Sequence, residues 1–170
     1  MKPLFLAPLL LLAAPLAAQD MSVFKTGPVF TRFGPHAPVE GIGEVPADSE
    51  FAVAFDVLEP ADEGKLNRRL ESAARFINMH VAHGVAEENI RVAVVVHGKA
   101  VNDLLAKPDN TSADMVQVML EHGVRFIVCG QSAAVYGVTQ EDLIPGVEMA
   151  LSAMTAHALL QQAGYTENPF

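Results

Sequence analysis

A chain of 170 residues with 11 basic and 20 acidic side chains carries a formal net charge of −9. That balance, with no basic cluster, argues against nucleic-acid and anionic-membrane partners. The length is that of one domain, and 51% hydrophobic residues suffice for a sheet buried on both faces.

Residues 1–18 have the layout of a secretory signal peptide: Lys2, an apolar run from Leu4 to Leu12 broken by Pro8, then the small residues Ala13 to Ala18. The run is too short to span a membrane. Cleavage is expected after Ala18, which makes the mature protein exported, periplasmic in a bacterium or otherwise secreted, with no membrane span. No cysteine stands at the start of the mature chain, so no lipoprotein anchor is expected.

Residues 19–50 are punctuated by Gly27-Pro28, Gly34-Pro35, Ala37-Pro38, Gly41, Gly43 and Pro46, too densely for a helix or a central strand. Val29, Phe30 and Phe33 are apolar anchors between the breaks. The segment is expected to be an extended arm lying across the domain or onto a neighbouring subunit. Gly41-Ile42-Gly43 lacks the flanking strand and helix of a nucleotide-binding turn and reads as a loop.

Residues 51–170 alternate strand and helix. A first strand is predicted at Phe51 to Val57, followed by a helix from Gly64 to His83, with Leu66, Leu70, Ala74, Ile77 and Val81 at helical spacing and Gly84 as its stop. Ile90 to Val96 is a second, wholly apolar strand apart from Arg91, ending in His97-Gly98. A short helix at Ala100 to Ala106 ends before Pro108, and another opens at Thr111 or Ser112, runs to His122 and stops at Gly123. Phe126 to Cys129 is the third strand, and a short helix runs from Gln131 to Gly137. Thr139 to Asp142 resembles a capping box. Val147 to Leu151 is a fourth strand, Ser152 caps a helix to Ala163, and Tyr165 to Phe170 suits a short edge strand. This alternation implies parallel strands joined by right-handed crossovers: a three-layer α/β/α sandwich with a mostly parallel sheet of about five strands.

Chemistry concentrates at the turn after the third strand. Cys129 is the chain's single cysteine, placed where a strand gives way to a helix and backbone N–H groups favour an anion. One cysteine in an exported protein cannot form an internal disulfide. It is therefore a buried core residue, an intermolecular bridge or a nucleophile. His97 holds the equivalent place on the second strand and shares a crevice with Cys129 if those strands are neighbours, where it would take the thiol proton or hold the thiolate. Gly130, Gln131 and Ser132 frame the sulfur and offer donors to a bound anion, although Ser132 equally suits a helix cap. Asp56, at the end of the first strand, can line the same crevice, although a solvated strand-end carboxylate is the commoner role for such a residue. His80 and His83, three apart on a helix, have metal-ligand spacing but no third ligand near in sequence, and His36, His122 and His157 form no constellation. No metal and no cofactor is expected.

The run Val128-Cys129-Gly-Gln-Ser-Ala-Ala-Val-Tyr-Gly137, with Asp142 to Val147, Ser152 to Thr155 and Val95-Val-His97-Gly98, resembles the DsrE/DsrF-like family over about residues 50–170. The match is nearest its exported, poorly characterised members. The resemblance implies the three-layer fold, assembly as a homo-oligomer (trimer or hexamer), and a cysteine at position 129 that accepts a sulfane sulfur as a persulfide and passes it on. Partners would then be sulfur-donor and acceptor proteins or small sulfane-sulfur compounds. This chain departs from the cytoplasmic relay subunits in its export signal and N-terminal arm. The alternatives are a non-catalytic module binding a small ligand or partner around a structural cysteine, and a redox sensor linked between subunits by a disulfide.

Overall fold

The computed structural model describes residues 19–168, so the expected signal peptide and the last two residues lie outside the described residues. Five strands form one sheet in the order β4-β3-β2-β1-β5: β1 is Phe51–Val57, β2 Ile90–Val96, β3 Arg125–Cys129, β4 Glu148–Ala150 and β5 Thr166–Asn168. Every neighbouring pair is parallel, as the alternation of elements implied. The central strand β2 is buried along its length except at Arg91, which explains its unbroken apolar run. The two edge strands are only three residues long, a common way to leave little free edge for unwanted pairing.

The helices are α1 (Arg68–Ala82), α2 (Ala113–Glu121), α3 (Gly130–Tyr136) and α4 (Ala153–Gln162). The path from β1 to β4 steps steadily across the sheet, and right-handed crossovers then place α1, α2 and α3 on one face. The step from β4 to β5 returns across the whole sheet in the opposite sense. The same handedness puts α4 on the other face, against Ala54, Ala93, Val95 and Ile127. The two faces are thus unequally covered. Three helices and the arm close a large core on the first, whereas α4 alone covers the second and leaves Leu151, Met154 and Leu159 exposed.

Helix α1 starts later than the sequence expectation and α2 opens at Ser112 as expected, and Asn67 touches both starts. Helix α1 begins at Arg68 rather than Gly64 because Asn67 caps it, its Oδ1 accepting from the N–H groups of Arg69 (2.8 Å) and Leu70 (3.2 Å). The buried Ser112 precedes α2 but makes no cap, because its hydroxyl instead accepts the Asn67 N–H at 2.9 Å. The segment expected to be helical from Ala100 is a 3-10 turn, Gly98–Leu104. The capping box forms as expected, with Asp142 Oδ2 accepting from both the N–H and the hydroxyl of Thr139.

The arm lies across its own domain. Phe30 and Phe33 stack at 5.1 Å between centroids and are buried in the larger core. Asn78 of α1, wholly buried, holds the arm's backbone: its Oδ1 accepts from the N–H groups of Val29 and Phe30, and its Nδ2 lies in donating range of the Phe30, Phe33 and Gly34 carbonyls. Gly34 sits at φ 67° with its α-carbon against α1, and a β-carbon there would come within 2.8 Å of the Ala74 backbone. Only glycine satisfies both conditions.

Candidate functional site

Strand periodicity decides which side chains meet. Successive residues point to opposite faces, and Ala54, Ala93, Val95 and Ile127 all face α4. Counting on by two places Asp56, His97 and Cys129 on that same face, at the C-terminal edge of three adjacent strands. Registration supports this: Val96 pairs with Val128, so His97 and Cys129 stand side by side at the ends of neighbouring strands. The adjacency that the shared-crevice expectation required is therefore present. Cys129, His97, Asp56, Gln131, Ser152, Ala153, Met154, His157 and Glu167 line one open pocket of about 460 Å³.

The sulfur sits where two helices begin. Cys129 is the residue immediately before α3, and Ala153 is the first residue of α4. Burial pushes the Cys129 thiol up, but hydrogen bonds from the Ser132 hydroxyl and from the backbone amides of Ser132, Ala153 and Gln131 outweigh it, leaving the thiol below its ordinary value. The Ser132 hydroxyl in turn accepts the Gly98 N–H at 2.9 Å, which orients its own hydrogen toward the sulfur and ties α3 to the end of β2. Cys129 is only 6% exposed, so any reagent must reach it through the pocket.

The expected framing residues divide their roles. Ser132 donates by side chain and backbone, and Gln131 by its backbone; the Gln131 side chain instead donates to the Leu151 carbonyl at 3.2 Å and braces the turn before α4. Gly130 is not among the donors to the sulfur. It is the point of closest approach between two turns: a β-carbon there would lie 2.7 Å from the Ala150 carbonyl oxygen. The amide of Ala153 adds a donor to the thiol that the sequence reading did not name.

His97 has a different partner from the one expected. Its Nε2–H donates to Asp56 Oδ2 at 2.9 Å, and His157 Nε2–H, from α4, donates to Asp56 Oδ1 at 2.8 Å. His97 is not among the groups that lower the Cys129 thiol. Asp56 is thus no solvated carboxylate but the centre of an imidazole–carboxylate–imidazole cluster. Burial pushes its carboxyl up, and the bonds from His97 and His157 more than reverse that, holding it below the usual range. His157 formed no constellation in the sequence because its partner is 101 residues away. The signal that was available is the shared strand parity of Asp56, His97 and Cys129.

His80 and His83 are tied to local structure. His80 and His83 bond through Nδ1 to the carbonyls one turn back, those of Phe76 and Met79, and His80 packs against the rings of Phe51 and Phe76. Among the described residues, no group of three or more His, Cys, Asp and Glu side chains is placed to hold a metal ion. Among the same residues, no helix is long and apolar enough to cross a membrane.

No curated protein matches this chain. Among solved structures, a protein of unknown function, MTH1491 from Methanobacterium thermoautotrophicum, is similar at 24% identity and a TM-score of 0.52, covering 71% of this chain and 100% of its own. The ychN protein from E. coli aligns at 19% identity and a TM-score of 0.49 over the same shares. The first of these likenesses speaks to the fold alone. The model of the DsrE/DsrF-like family matches residues 52–166, more than half the chain, from the second residue of β1 to the first residue of β5. The family suggests a sulfur-relay-related role. From the strand-end cysteine to the parallel sheet that presents it, this chain belongs to the DsrE/DsrF-like family.

Proposed function

We propose that the protein is an exported sulfur carrier, sulfurtransferase-like in chemistry, that holds a sulfane sulfur as a persulfide on Cys129. One observation carries this reading: the sulfur of Cys129 lies in an open pocket within a ring of hydrogen-bond donors from Ser132, Ala153 and Gln131 that favour its anionic form. A thiolate held this way attacks the outer sulfur of thiosulfate or a polysulfide. With thiosulfate, a new S–S bond forms on Cys129 and sulfite leaves with the electron pair of the broken S–S bond. The product persulfide is itself an anion, and the same donors stabilise it.

Export rests on the signal-peptide layout of residues 1–18, and an oligomer on the thin cover that α4 gives its face, where Leu151, Met154 and Leu159 are exposed. The mass of the mature protein and light scattering in solution check these two points. Sulfur-donor and acceptor proteins, or small sulfane-sulfur compounds, are the partners this chemistry requires.

The test is intact mass after incubation with thiosulfate or polysulfide, alongside Cys129→Ala. The expected result is a gain of one sulfur, reversed by reductant and absent from the variant. The low exposure of Cys129 favours a second reading, a binding module with a structural cysteine. That reading predicts no adduct and a thiol that alkylates only on unfolding. A redox sensor instead predicts a dimer lost on reduction.

A further inference from the structure

The Asp56 cluster is built for proton handling, yet it does not serve the sulfur beside it. Both imidazoles give their Nε2–H to one carboxylate, at 2.9 Å and 2.8 Å, which fixes both rings with Nδ1 as the nitrogen free to exchange a proton. Cys129 already has its donors in Ser132, Ala153 and Gln131. The Nδ1 of His157 is buried and meets no hydrogen-bond partner among the described residues, whereas that of His97 is not enclosed in this way, which leaves His97 as the ring able to pass a proton to a pocket occupant.

The pocket also contains a need for a proton. Its lining includes the carboxylates of Asp56 and Glu167 and no lysine or arginine. A group expelled from a sulfur donor as an anion meets no lysine or arginine there, and two carboxylates oppose it. The two imidazoles are the pocket's proton donors apart from the Ser152 hydroxyl, which already serves the start of α4 by accepting the Thr155 N–H.

We propose that His97 acts on the departing group rather than on Cys129, giving its Nδ1 proton to the thiolate expelled during sulfur transfer, while Asp56 and His157 are positioning residues that hold its ring. This rests on the sulfur-carrier reading above and names a substrate class for it: organic persulfides, R–S–SH, whose leaving group is a basic thiolate. In the step, the Cys129 thiolate attacks the terminal sulfur of R–S–SH. The donor's S–S bond breaks, R–S⁻ leaves with its electron pair, and His97 imidazolium protonates it. The immediate products are Cys129–S–SH, R–SH and neutral His97, still bonded to Asp56 through Nε2–H; Cys129–S–SH then releases its proton to water and becomes the anion that the donors hold.

The experiment is single-turnover loading of Cys129, read by intact mass, with two donors that differ in leaving-group basicity: cysteine persulfide, which expels an alkanethiolate, and thiosulfate, which expels the weakly basic sulfite. General-acid catalysis contributes about 100-fold or more, and it matters most where the leaving group is most basic. The ratio of persulfide to thiosulfate loading rates should therefore fall about 100-fold in His97→Gln. It should fall in the same direction and by less in Asp56→Asn and His157→Gln, each checked for its fold by circular dichroism. Equal loss on both donors, or none, in all three variants would overturn the acid role and leave the carrier reading standing. Failure of the unaltered protein to load from either donor would overturn the carrier reading, and the acid role with it.

Discussion

Two buried polar side chains organise this molecule, and they do so in opposite ways. Asn78 is wholly enclosed and neutral, and both ends of its amide are taken up by backbone groups of the arm. Asp56 is part-buried and charged, faces an open pocket, and holds two imidazoles, one of which has its second nitrogen buried without a partner. A saturated neutral network fixes a chain segment in one place. An ionised network with an unsatisfied atom beside an open pocket retains chemistry. The arm's anchor is therefore structural, and the strand-edge cluster is where function is expected.

The sharpest way to break this comparison is Asn78→Ala. It strands the N–H groups of Val29 and Phe30 and the carbonyls of Phe33 and Gly34 and should cost about 3 kcal/mol, with early loss of the arm. Urea unfolding with limited proteolysis of residues 19–50 measures this, and an unchanged midpoint would remove the arm from the stability account. Next is Gly130→Ala, whose β-carbon would meet the Ala150 carbonyl oxygen at 2.7 Å. It should cost about 2 kcal/mol and, by prising the start of α3 from the start of α4, raise the thiol pKa by pulling the amides off the sulfur.

Ser132→Ala tests the donors one at a time. The Cys129 thiol lies below its ordinary value, so its alkylation by iodoacetamide should reach half-maximal rate at a pH below that of an ordinary thiol. Removing the hydroxyl should move that midpoint up by about one pH unit or less, since a hydrogen bond to a charged group is worth about 1.5 kcal/mol. The smallest effect is expected of Asp56→Asn on stability. A carboxyl whose folded pKa is depressed contributes stability that is present above its unfolded pKa, roughly 3.9, and lost as the pH falls through the folded value. The urea midpoint of the unaltered protein should thus fall more steeply below that pH than the variant's. Identical acid limbs would mean that the cluster contributes nothing through this carboxylate.

Much of the fold is legible because strands and helices leave local marks. The apolar runs of β1, β2 and β3, the glycine stop after α1 and the Ser152 cap of α4, whose hydroxyl accepts the Thr155 N–H at 3.0 Å, all follow from neighbouring residues. Where local marks mislead, a distant partner is the cause. Asn67 starts α1 late, and it occupies the hydroxyl of Ser112 that would otherwise cap α2. The site divides in the same way: Cys129 and His97 are conspicuous as strand-end residues, whereas Asp56 read as solvated and His157 as unremarkable.

The sequence by itself determined which residues stand at the strand ends and, through the two-residue period of a strand, that Asp56, His97 and Cys129 share a face. Only the tertiary structure decided what covers that face. Because β5 pairs beside β1 at the far edge, the chain must return across the sheet, and crossover handedness sends α4 over the second face. That single crossing brings the Ala153 amide to the sulfur and His157 to Asp56, across 101 residues of chain. No local propensity encodes such a meeting, since it depends on which edge a three-residue strand joins.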